Sequence, residues 1–200
     1  MPQSGLLSFF YDSQLETWGF DPNDKGSWKV FYYKNIDQLK RFTNIKFKED
    51  EGEGLIDSCS VVFKEKLTPP SEESDILQQL NLNDEEIDQY CDLLYEYYGS
   101  YPEKSVHQLF GHPFEIQGEM KNQCQLAANG GYCGDCTYME NPETEELLNA
   151  AANWKLLLQI DSDDNARIMW GDCGKLYFWI TEENLRQCNF ESIWMILQCG

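Results

Sequence analysis

Residues 154–180, WKLLLQIDSDDNARIMWGDCGKLYFWI, limit what this chain can become more than any other stretch. Two strongly apolar runs, 154–160 and 175–180, flank an acidic segment and a Trp-Gly-Asp corner. Runs rich in Ile, Leu, Tyr, Phe and Trp that are too short for a buried helix read as strands covered on both faces. Residues 161–165, Asp-Ser-Asp-Asp-Asn, read as the turn between them, because Asp and Asn side chains bond nearby backbone and tolerate turn geometry. The pattern predicts a hairpin at the core of a globular domain.

The chain has 200 residues, of which 42% are hydrophobic, enough to bury a substantial core. Its net charge of −20 is unevenly spread: residues 1–70 hold 9 basic and 11 acidic side chains, residues 71–200 hold 6 and 24. A surface of that sign repels phosphates and gains nothing from counterion release, which argues against nucleic acid and favours a basic protein partner. No apolar run approaches the roughly 20 residues needed to span a bilayer, so no membrane partner is expected. The opening MPQSGLLSFFYD lacks a basic stretch followed by a long apolar core, so no secretory leader is expected. Cys59, Cys91, Cys188 and Cys199 sit singly in apolar settings, as buried thiols of a reducing cytoplasm do.

In chain order, residues 5–11 and 28–33 read as strands separated by a polar Gly/Pro/Asp-rich loop. Asn35 begins a short helix over 36–42, the charged residues 46–54 form an exposed turn, and 55–63 is another strand candidate ended by Pro69 and Pro70. Helices are predicted over 74–80 and 84–98. In the second, Asn83 caps three acidic residues, Gly99 closes the C-terminal end, and Ile87, Tyr90, Cys91, Leu94, Tyr97 and Tyr98 make a stripe expected to pack on the sheet. Residues 101–139 lack periodicity and read as a Gly-rich loop region holding both histidines. A helix over 143–152, the core hairpin, a Thr181-capped helix and a strand over 193–198 complete the chain. Trp28, Trp154, Trp170, Trp179 and Trp194 are expected in the core, and Trp18 as an exposed anchor.

The segment GLLSFFY at 5–11 recurs as GKLYFWI at 174–180, and WKVFYY at 28–33 recurs as WMILQC at 194–199. This argues for one domain over 1–200 built of two pseudo-repeats, about 1–70 and 140–200, joined by the segment 71–139. The first copy lacks the strand that precedes Gly174 in the second, which would leave a sheet edge open for a second copy of the chain. The core hairpin, the HQL…G.P..IQ segment at 107–117, CQL at 124–126 and the ending WMILQC resemble the YwqG family of bacterial proteins. That resemblance covers nearly the whole chain. It implies a duplicated α+β fold of mostly antiparallel sheets with short helices packed on them and an intracellular setting, and it carries over no catalytic residues.

Several candidate sites stand out. Asp161, Asp163 and Asn165, with Ile168 at position eight and Asp172 at position twelve, follow calcium-loop spacing. Ala166 replaces the required glycine, however, and strands rather than helices flank the segment, so an acidic turn is the better reading. Cys133 and Cys136 form a CxxC pair that could become a zinc site with Cys124, His107 or His112, but no second CxxC exists. The simpler reading is a Gly-rich loop with two thiols. His107 and His112 lack a positioned nucleophile and read as loop anchors. Together with Gln117 these residues make a candidate binding surface. The expected function is a non-enzymatic cytoplasmic binding protein without a cofactor. The rivals are a metal or thiol enzyme centred on Cys133, Cys136 and the histidines, and a small-ligand site between the repeats.

Overall fold

Alternating aromatic and aliphatic residues make the strands of this α+β chain, and their pairing is antiparallel throughout. A computed structural model describes residues 2–14, 17–41, 56–72, 74–98, 105–135 and 142–200. Strand β1 (Leu6–Tyr11) pairs with β2 (Trp28–Tyr33) in a two-stranded sheet. A four-stranded sheet has the order β3 (Gln108–Leu109), β4 (Trp154–Asp161), β5 (Lys175–Thr181) and β6 (Trp194–Gln198). The helices are α1 (Asp75–Leu80), α2 (Asp84–Tyr98), α3 (Lys121–Ala128), α4 (Pro142–Leu148) and α5 (Glu182–Arg186). None is long and apolar enough to cross a membrane.

The hairpin expected from residues 154–180 is β4–β5, with all of β5 buried except Thr181. Its connection is longer than a simple turn: Asp163 and Ile168 pair to close a small loop within it. One face of this sheet receives the first sheet. Phe9 meets Phe178 edge to face at 5.2 Å, and Tyr11 meets Trp170 at 5.7 Å. Truncating Phe178, which is 2% exposed, would cost about 3–5 kcal/mol through lost burial and the cavity left behind. At one end Trp28 and Trp194 pack at 5.0 Å; Trp28 donates to the Ile193 carbonyl and Trp194 to the Gly19 carbonyl. The registers of the two strand pairs differ by one position, since Trp28 faces Tyr11 while Trp194 faces Trp179.

The outer edge of β6 is covered by the loop at Trp18 and Gly19, where the Leu197 N–H donates to the Trp18 carbonyl. A Cβ at Gly19 would lie 1.9 Å from the Met195 oxygen, and its φ of +83° suits glycine. Trp18 is 38% exposed, and the other five tryptophans are buried.

Several expectations are corrected. Residues 56–63 form no strand; they are exposed, so β-propensity at Val61, Val62 and Phe63 finds no partner strand among the described residues. The stripe on α2 does not pack on the sheet, and no residue of that helix is buried. Instead the Tyr90 and Tyr97 hydroxyls donate to the carbonyls of Pro70 and Leu67. Residues 105–135, expected as loop, contain strand β3 and helix α3. Cys59 is exposed rather than buried, and only a short 3-10 turn, Ile36–Gln38, follows Asn35. The expected turn at 46–54 and the cap at Gly99 lie outside the described residues.

Candidate functional site

Antiparallel register brings Asp161, Lys175 and Gln198 side by side on β4, β5 and β6, with Gln159 and Tyr177 in the next row. All five are buried, so each must find polar partners within the protein. They find them in residues 105–118, which lie over this face. Gln159 accepts from the Phe114 N–H at 2.9 Å and donates to the Val106 carbonyl at 2.7 Å. Gln198 accepts from the N–H groups of Ile116 and Gln117, both at 3.0 Å, and donates to the Gly118 carbonyl. The Tyr177 hydroxyl donates to the Phe114 carbonyl at 2.7 Å, and burial pushes its proton affinity up. Lys175 Nζ lies 3.3 Å from Asp161 and 5.1 Å from the centre of the Phe114 ring.

This arrangement decides the roles of the histidines. His107 Nδ1 accepts from the Asp161 N–H at 3.1 Å, which leaves the proton on Nε2 to be donated to Asp163 at 3.0 Å. Both ring nitrogens are therefore engaged. That hydrogen bond, with those from Asn165, holds the Asp163 carboxyl below the usual range. His112 is held through its backbone, donating to Thr68 Oγ1 and accepting from the Gln108 side chain. A Cβ at Gly111, just before it, would lie 2.3 Å from Thr68 Oγ1, so the close approach needs glycine. Burial first, then the charges of Lys121 and Lys155, lowers the proton affinity of the His112 ring.

The acidic segment is a structured turn. Asp161 accepts from the Val106 N–H and pairs with Lys175, while Asp163 accepts from the backbone and side chain of Asn165. Asp172 is exposed, and its backbone carbonyl accepts from the Gly200 N–H. The carboxylates of Asp161 and Asp163 thus serve separate partners, and among the described residues no three of His, Cys, Asp and Glu gather into a metal cluster. Cys124 is buried in α3 next to Cys133, whose thiol points at the Phe20 carbonyl 3.3 Å away. Burial, followed by the charges of Asp24 and Asp21, pushes the Cys133 thiol up to about 12; burial also raises Cys124 well above its ordinary value. With no metal bound, both thiols stay protonated at neutral pH, the less nucleophilic form. Cys136 lies outside the described residues. Gln117 projects from the loop and is exposed.

A second feature was not anticipated. A groove of about 290 Å³ lies between α2, residues 69–72 and residues 113–115. Pro69, Pro70, Pro113, Tyr95, Tyr98 and Phe114 line it, and Glu72 and Glu115 add carboxylates. The dense tyrosines at the end of α2 were the available signal for it. For the buried face the signal was a glutamine or lysine inside an otherwise apolar strand.

No curated protein matches the chain. A family described as a domain of unknown function (DUF1963) matches residues 1–199, and the chain belongs to that family.

Proposed function

We propose that this protein is a non-enzymatic binding protein whose acidic surface engages a basic protein partner. The observation that carries the reading is helix α2. Residues 71–98 contain nine acidic side chains and no basic one, and α2 buries none of its residues. A helix with Leu93, Tyr95 and Tyr97 exposed among carboxylates offers apolar contact area inside a negative field, the combination that recruits cationic partners. The rival thiol or metal enzyme gains little, because His107, Cys124 and Cys133 are engaged within the fold.

The placement with the YwqG family rests on the sequence resemblance of segments such as 107–117 and 154–180, which here build much of the buried polar face and its cover. The seven described cysteines are all free, in keeping with a reducing cytoplasm. Trp28 and Trp194, which head the matching strands, each donate to a carbonyl beside the other strand pair, which supports the duplication.

The test compares the intact protein with a variant carrying Asp84→Asn, Glu85→Gln, Asp88→Asn and Asp92→Asn, titrated with small basic proteins at rising ionic strength. Expected is salt-sensitive association that the variant weakens at least tenfold, because removing carboxylates from one face removes both steering and contact. Association equal in both proteins, or none with any basic protein, overturns the reading. Stoichiometric zinc in the purified protein would promote the enzyme rival.

A further inference from the structure

The groove beside α2 has a chemistry of its own. Its walls come from three separate chain segments that are tied together. Tyr90 donates to the Pro70 carbonyl at 2.7 Å, Ser71 donates to Glu115 at 2.6 Å, and Tyr98 meets Phe114 edge to face at 5.0 Å. Prolines on two of those segments further limit its deformation. The cleft is therefore formed before any ligand arrives.

Its rings already attract ammonium groups within the chain. Lys66 Nζ lies 5.3 Å from the centre of Tyr98, and Lys175 Nζ lies 5.1 Å from Phe114. Beside these two lysines, the carboxylates along α2 and at Glu72 supply charge of the matching sign. After burial, the charges of Glu72, Asp88 and Asp92 push the Cys91 thiol up, and Glu72 does the same to the Tyr90 hydroxyl. Aromatic faces with nearby carboxylates bind a cation better than a neutral group of the same shape, because the ring quadrupole and the carboxylates act together. Size limits the guest. A cleft of about 290 Å³ sits at the lower end of the about 300–1,000 Å³ range of ligand pockets and has room for a long side chain.

We propose that this groove receives a cationic side chain, lysine or arginine, presented by the basic partner. The inference rests on the reading of the acidic surface given above. It adds a specific anchor point to a diffuse field: the aromatic walls take the alkyl stem and the carboxylates take the charged head.

The test uses three small probes on the intact protein: the Nα-acetyl methylamides of lysine, arginine and norleucine. Norleucine keeps the apolar stem and lacks the charge. Binding is followed through the NMR resonances of Tyr95, Tyr98 and Phe114. Expected is that the lysine or arginine probe shifts these resonances and binds on the order of tenfold tighter than norleucine. The Tyr95→Leu variant, altered at a residue 61% exposed and so without harm to folding, should weaken that binding several-fold, as should Glu72→Gln. Equal binding of norleucine, shifts confined to other sites, or unchanged affinity in both variants overturns the proposal. The two readings fail separately. If a basic protein binds with salt sensitivity while groove variants leave its affinity unchanged, the anchor is wrong and the partner surface stands. If the charged probes occupy the groove but no basic protein associates, the groove stands as a cation site and the partner reading falls.

Discussion

Gln198 shows how much a single buried amide can hold. It is 0% exposed, and its side chain serves two backbone N–H groups and one carbonyl of the segment laid over the sheet. Gln198→Ala should cost about 3 kcal/mol in urea unfolding, because those groups lose their partners without gaining water. A cost below about 1 kcal/mol would mean that the overlying segment is not fixed by this bond set. His112 gives a pH-dependent counterpart. Its proton affinity is lowered on folding, so the unfolded chain binds the proton more tightly and stability rises with pH. The stability is complete above the unfolded value near 6.5 and is lost as the pH falls from there through the lower folded value. Urea midpoints measured between about pH 7.5 and pH 5 should show this slope, and His112→Gln should flatten it. These roles were hidden in the sequence: a polar residue in a strand ordinarily faces water, and nothing local shows that a distant loop will cover it.

Elements were more legible than residues, and the reasons differ from one to the next. The strands β4 and β5 are plain in the sequence because short runs dominated by Leu, Ile, Tyr, Phe and Trp and bounded by turn residues have few alternatives. The bounds of α2 follow from its start, where Asn83 accepts from the Glu86 N–H at 3.1 Å and Glu86 accepts from the Asn83 N–H at 2.9 Å. Helix α3 escaped notice because KNQCQLAA is short and Met120 supplies no side-chain cap. The destination of α2 was misjudged for a different reason. A striped helix normally covers a sheet, but here α3 and residues 105–118 already occupy that face. With no buried residue, α2 should open more readily than the core. Hydrogen exchange should show its amides protected far less than those of β5, with Asn83→Ala speeding exchange in α2 and leaving β5 unchanged. Equal protection in both elements would contradict this placement.

Across the molecule, the sheets hold the buried core while the most uniformly acidic stretch, residues 71–98, lies on helices outside it. The sheets bury the aromatic residues, while residues 71–98 gather carboxylates on a helix pair tied down through tyrosine hydroxyls and the half-buried faces of the groove. That division lets the acidic helix vary without disturbing the core. The paired tryptophans at the sheet end bring a consequence for how the chain reaches this state. Trp28 bonds a residue 165 positions away, and Trp194 one 175 positions away. Closing loops of that length loses chain entropy before any contact rewards it, so the final assembly step is set by a rare encounter between distant segments. Until that encounter, the last strand has an unsatisfied flank, and a newly made chain would be at its most vulnerable to clumping with its neighbours.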